Sequence, residues 1–188
     1  MARTVDAILV GPGELYTAPQ GEAFPTNPNT AVAGNWEDIG YSEDGWTVEA
    51  DKTVEDVFVA ELIDPVASFK TQQTIRVTGS MAQVGLEQLQ ISFGGGTIST
   101  GVPAVGYDTY TPPATDEYDE FSALLRTRAP GALAGVGFLR DWQFPRVIMA
   151  GAVAAQFTKA PQKALVTMEL RALVPTAGSI FSVIDETT

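Results

Sequence analysis

The residues best equipped for chemistry in this chain are its carboxylates, which stand in adjacent pairs at Glu37/Asp38, Glu43/Asp44, Glu55/Asp56 and Asp116/Glu117. Glycosidic hydrolysis uses two carboxylates that face one bond at a defined separation. Neighbours along a strand point to opposite faces, so adjacent pairs do not converge on one bond. Trp36, Trp46 and Trp142 are too scattered to mark the aromatic cleft that usually holds a sugar. Asp116–Glu120 (DEYDE) offers oxygen ligands for Ca²⁺ but lacks the D-x-[DN]-x-[DN]-G spacing of a calcium loop, so it reads as a solvated acidic loop. No S-x-x-K motif contains any of Lys52, Lys70, Lys159 or Lys163. No Gly-Lys dipeptide occurs, which excludes a P-loop, and the Gly11-Pro-Gly13 and Gly135-Val-Gly137 pairs lack the third glycine of a dinucleotide fingerprint. Gly94-Gly95-Gly96 reads as a helix stop.

Composition narrows the chemistry further. The 188 residues contain no cysteine and no histidine. That excludes a disulfide framework, thiol nucleophiles, His-based triads and His- or Cys-ligated metals. The residues therefore predict no catalytic residue, no cofactor and no metal site, and the chain reads as a non-enzyme. The formal charge of -12 comes from 23 acidic and 11 basic residues, an unfavourable balance for general nucleic-acid binding, which needs Lys and Arg to displace counterions. Residues 1–69 hold 13 of the acidic residues and only Arg3 and Lys52 as bases. The charge is therefore concentrated in the first third, either as a solvated face or as a surface that repels an anion. No stretch approaches the ~18 consecutive apolar residues of a membrane span. The run Ala7–Val10 is too short for a signal peptide, so the expectation is a soluble protein made in the cytoplasm.

The positioning elements are mostly strands. Residues 5–10 and 14–17 read as short strands, and 18–35 as an extended Pro/Asn-rich loop. Trp46–Thr53 alternates, with Trp46, Val48 and Ala50 against Thr47, Glu49 and Asp51. Residues 54–69 are apolar without a clear period, and the large groups Phe58, Val59, Leu62, Ile63, Pro65 and Phe69 mark a segment that either folds over the core or is covered by another subunit. Thr71–Met81 is a strand with Gln73, Ile75, Val77 and Met81 on one face and a wholly polar second face. Val84–Phe93 is the best helix, with a stripe of Leu86, Leu89 and Phe93. Residues 94–117 form a second Gly/Pro-rich loop. Strands follow at Phe121–Arg128, Leu139–Phe144 leading into Arg146–Phe157, and Ala164–Val174, and 176–188 is a small-polar tail. The pattern predicts one mainly β domain over residues 1–188, a β-sandwich or open barrel with one short flanking α-helix.

The ordering of these features resembles the major tail (tail tube) proteins of long-tailed siphophages. The residues that carry the resemblance are Gly13-Glu-Leu-Tyr16-Thr-Ala-Pro19 with its Pro-rich loop, Trp36-Glu-Asp-Ile-Gly40-Tyr-Ser-Glu-Asp-Gly45-Trp-Thr-Val-Glu, the Leu86-Glu-Gln-Leu89-Gln helix ending in glycines, and Trp142-Gln-Phe-Pro145-Arg-Val. The resemblance implies a structural virion protein whose hexameric rings stack into a hollow tail tube that conducts DNA, in a virion assembled in the host cytoplasm. The implied partners are further copies of itself, the tape-measure protein, the tail terminator and the distal tail proteins, with DNA passing through unbound. On that reading Phe58, Val59, Leu62, Ile63, Pro65 and Phe69 belong to a subunit interface, and Glu49 and Asp51 face the lumen. Other readings of the same pattern are a tail terminator, a decoration protein, a secretion-tube subunit or, in a different class, a carbohydrate-binding β-sandwich.

Overall fold

The structure, a computed structural model, describes residues 13–60, 62–101, 106–114, 118–129, 138–156 and 164–186. The expected strand at 5–10 and the carboxylates Asp116 and Glu117 lie outside them. The elements in chain order are β1 (Glu14–Pro19), β2 (Glu37–Asp38), β3 (Ser42–Val57), β4 (Ala67–Met81), α1 (Leu86–Ser92), β5 (Thr97–Thr100), β6 (Asp108–Thr111), β7 (Phe121–Arg128), β8 (Leu139–Met149), β9 (Ala155–Gln156), β10 (Leu165–Ala172) and β11 (Ser182–Asp185). The described residues are mainly β with one short helix, as the sequence pattern predicts.

All pairings among the described residues are antiparallel. The main sheet runs β2-β1-β7-β8-β10-β4-β3, with β11 on β8 and β9 on β10, while β5 and β6 form a separate hairpin. Alternation puts Ile75, Val77 and Met81 of β4 beside Val166, Met168 and Leu170 of β10 in the main core, with Leu15, Ala123, Leu125, Phe144 and Val147. Trp46 and Val48 pack against it from β3. β7 buries both of its faces, because the connection between β1 and β2 folds over the outer one. There Leu124 meets Ala18 and Trp36, with Tyr16, Phe24 and Val32 packed alongside.

Four expectations need correction. The helix spans Leu86–Ser92 and buries Gln88 and Ser92, whereas Phe93 is exposed. Gln88 Nε2 donates to the Ile39 carbonyl and Ser92 Oγ to the Gln88 carbonyl, so satisfied polar groups form the fully buried line, while Leu89 of the expected stripe packs part-buried against the core. Residues 94–117 contain β5 and β6. The tail at 176–188 contains β11, which pairs with residues 140–143 of β8. The segment 54–69 is not all loop, since Val54–Val57 and Ala67–Phe69 extend β3 and β4.

Candidate assembly surface

The pairing of β3 with β4 out to Val57 and Ala67 shapes the surface. β4 pairs β10 only from Arg76 to Met81. Towards its other end, among the described residues, it pairs β3 alone, so the β3–β4 hairpin continues past the sheet as a two-stranded arm. Thr74 and Ile75 are buried at its base, and Val54–Val57 and Ser68–Gln72 are exposed. The register passes from Thr53↔Gln72 to Val54↔Lys70, leaving Thr71 without a counterpart. This extra residue is a β-bulge that changes which β4 side chains share a face with β3, and the apolar segment itself shows no clean period because its middle, between Val57 and Ala67, belongs to neither strand. The tip is held by Val66 N–H donating to the Val57 carbonyl at 2.9 Å and Leu62 N–H to the Val59 carbonyl at 3.2 Å. Beside it Ser68 Oγ donates to Asp56 Oδ1.

All six apolar residues singled out here from the sequence lie on this arm, and all are exposed. Ile63 is 96% exposed, and Phe58 and Phe69 are each 61% exposed. Val54, Val57, Leu62 and Val66 add to the same region. Each large apolar side chain gains ~1.5–3 kcal/mol when covered, and contiguous apolar patches of this kind mark contact sites. β3 is also the end strand of the sheet order, so its outer edge has no neighbouring strand among the described residues. An open edge of that length is a template for another chain.

Glu49 and Asp51 are exposed on β3. Glu49 stands opposite Arg76, which stands opposite Arg171 of β10, and Asp51 stands opposite Thr74. Arg76 Nε lies 3.5 Å from Glu169 Oε1, at ion-pair distance but outside hydrogen-bond geometry. Opposed charges therefore share the Glu49 row, and Asp51 faces no cation across the β3–β4 register.

At the other end of the sheet order, a cleft of about 440 Å³ opens between β1, the start of β2 and α1. Its apolar wall is Trp36, Ile91 and Phe121, and Thr17, Glu37 and Asp119 supply polar rim groups. Sequence reasoning missed it, because its walls come from four separate segments; the one available signal was a long loop ending in tryptophan. The Trp36 ring is fixed by Phe24, with centroids 5.0 Å apart, and by Nε1–H donating to the Ala23 carbonyl at 3.0 Å. Gly95 has φ +117, and a Cβ there would sit 1.9 Å from Asp119 Oδ2, so only glycine fits this wall.

Ion pairs hold the frame that carries both ends. Arg126 Nε and Nη2 each donate to Asp141 at 2.7 Å, and Nη1 donates to the Thr30 carbonyl, clamping the loop that covers β7. Gln143 Nε2 donates to Pro25 O of the same loop, and Asn29 Nδ2 donates to Glu186. Glu120 forms a bidentate pair with Arg146, whose hydrogen bond holds the Glu120 carboxyl below the usual range. Asp119 accepts from Gly96 N–H, so the described part of the acidic run Asp116–Glu120 binds its own protein. Burial, reinforced by a hydrogen bond to Glu14, pushes the Tyr16 phenol up to about 12. Among the described residues, no group of three Asp or Glu is placed to hold a metal ion. Among them, too, no helix is long and apolar enough to cross a membrane.

The described surface thus offers contacts: an apolar arm and an open edge at one end, a preformed cleft at the other. A sequence model of the family described as "Phage tail tube protein" matches residues 1–127. No curated protein matches the chain.

Proposed function

The chain belongs to the phage tail tube protein family, which makes it a structural component of a phage tail, and from that premise we propose that it is the major tube subunit. By the family resemblance its copies form rings of six, and the rings stack into a hollow tube that conducts DNA. The tube is built in the host cytoplasm around a tape-measure protein and meets terminator and distal tail proteins at its ends. The observation that carries this reading is the β3–β4 arm, whose apolar tip is exposed in a lone copy. Phe58, Val59, Leu62, Ile63, Pro65 and Phe69 are the contact residues. Pairing of the open β3 edge with a neighbouring copy extends the sheet around the ring and removes that edge. Glu49 and Asp51 face the lumen, where carboxylates give phosphates nothing to bind.

Electron microscopy of the purified protein tests the proposal. The intact chain forms long tubes. A variant lacking 55–65 joins Val54 to Val66 and leaves residues 66–69 as the turn before Lys70, the register partner of Val54, a hairpin length that closes readily. That variant keeps its β circular dichroism and stays soluble and monomeric. Tubes formed by the deletion variant would remove the arm from assembly, and an intact chain that remains monomeric would remove the tube role itself.

A further inference from the structure

The arm and the cleft lie at opposite ends of one strand order, β4-β3 and β2-β1. A projection at one end and a recess at the other, on every copy, is the arrangement of a heterologous contact that repeats from copy to copy. We infer that the arm tip of one copy, through Phe58, Leu62 and Ile63, seats in the cleft formed by Trp36, Ile91 and Phe121 of a second copy. The inference rests on the assembly reading above and names its receiving surface.

Three properties of the cleft support this occupant. Its volume of about 440 Å³ lies low in the ~300–1,000 Å³ range of binding clefts, a size for a few apolar side chains rather than a whole strand. Its apolar wall is bordered by polar groups, the anatomy of an interface core inside a wet rim. Its walls are also fixed before docking, Trp36 by Phe24 and Ala23 and the Gly95 backbone by the close approach of Asp119, so little ordering cost opposes binding. Asp64 on the tip and Glu37 and Asp119 at the rim carry the same sign. Apolar burial therefore drives the contact and charge does not.

The absence of cysteine makes disulfide trapping a clean test. The double variant Ile63→Cys/Glu37→Cys pairs the exposed tip with the exposed rim, and Ile63→Cys/Val183→Cys is the control, with its second site on β11. After assembly and mild oxidation, a non-reducing gel shows the first variant as a ladder extending beyond dimer with loss of the monomer band. The control shows no ladder. Tubes without a ladder, or a fast-running monomer that reports the arm closing on its own cleft, would overturn the inference and leave the tube role standing. Failure of the unsubstituted chain to form tubes would instead overturn the tube role, and this inference with it. Hydrogen exchange on the unsubstituted protein needs no variant. Assembly slows the amides of Asn35–Glu37 and Ile91 about tenfold or more, and protection of the arm with those amides unchanged would overturn the inference.

Discussion

Arg126 and Asp141 place two opposite charges where water barely reaches, with side-chain exposures of 10% and 0%. The guanidinium donates to both carboxylate oxygens and to the Thr30 carbonyl, and the hydrogen bond to Asp141 raises the already high pKa of Arg126. Removing one member of such a pair leaves a buried charge unpaired and costs about 3–5 kcal/mol. Arg140 and Asp185 form a pair of similar geometry, but with Asp185 41% exposed, and an exposed pair contributes ~0–1 kcal/mol. Asp141→Ala is therefore expected to lower stability by about 3–5 kcal/mol and Asp185→Ala by ~1 kcal/mol or less, measured by urea unfolding. Equal losses would show that burial is not what distinguishes them. Sequence reading placed a strand at Phe121–Arg128 and did not single out Asp141. The strands of Arg126 and Asp141 alternate correctly, but nothing local signals that a distant Pro/Asn-rich loop seals the face of Arg126.

At the scale of elements, the β3–β4 pairing depends on a close approach. Trp46 faces Gly79, and a Cβ at Gly79 would lie 2.4 Å from the Trp46 ring. Gly79→Ala pushes the ring off β4, and overpacking of this kind costs ~1–3 kcal/mol. The expected result is that loss in urea unfolding, together with a changed tryptophan emission. Unchanged emission would mean that the ring has room to spare. Period 2 made the long strands legible: β7 was read at its observed limits, and the Val166/Met168/Leu170 face of β10 is the core face found. Elements whose identity depends on a remote partner were not legible. β11 is four residues that become a strand by lying on β8, and β5 and β6 need each other. Leu139–Phe144 was read as leading into a strand at Arg146–Phe157; β8 instead runs through Pro145 and ends at Met149, with Pro145 at the register shift opposite Phe121–Ala123, a bulge position where a missing N–H is tolerated. The six arm residues were found by their apolar excess alone, because five of them lie between the ends of β3 and β4, where no strand period marks them.

For the whole molecule, the question is where its charge lies once copies assemble. Nearly all the net charge belongs to the first 69 residues, which include the end strand β3. The register makes the Glu49 row mixed, since Arg76 and Arg171 stand alongside, so Glu49 contributes less to a repulsive wall than its sequence setting implies. Asp51 faces Thr74 and keeps its full effect. On the proposed lumen assignment, Asp51→Lys in the assembled phage slows DNA release more than Glu49→Lys, because it adds a phosphate-binding cation to a row without one. Release is followed as the rise in fluorescence of a DNA-binding dye outside the particle. Added salt shortens the delay, because ions compete for the phosphate contact. Both residues are exposed and lie on the sheet beside the arm, so neither lysine alters the core, and tube length in micrographs verifies that assembly is intact. Release at the original rate from particles with normal tubes would place this face of β3 on the outside. The lumen would then have to be lined by another face, and the concentrated acidity of the first third would act between virions and solvent instead of on DNA.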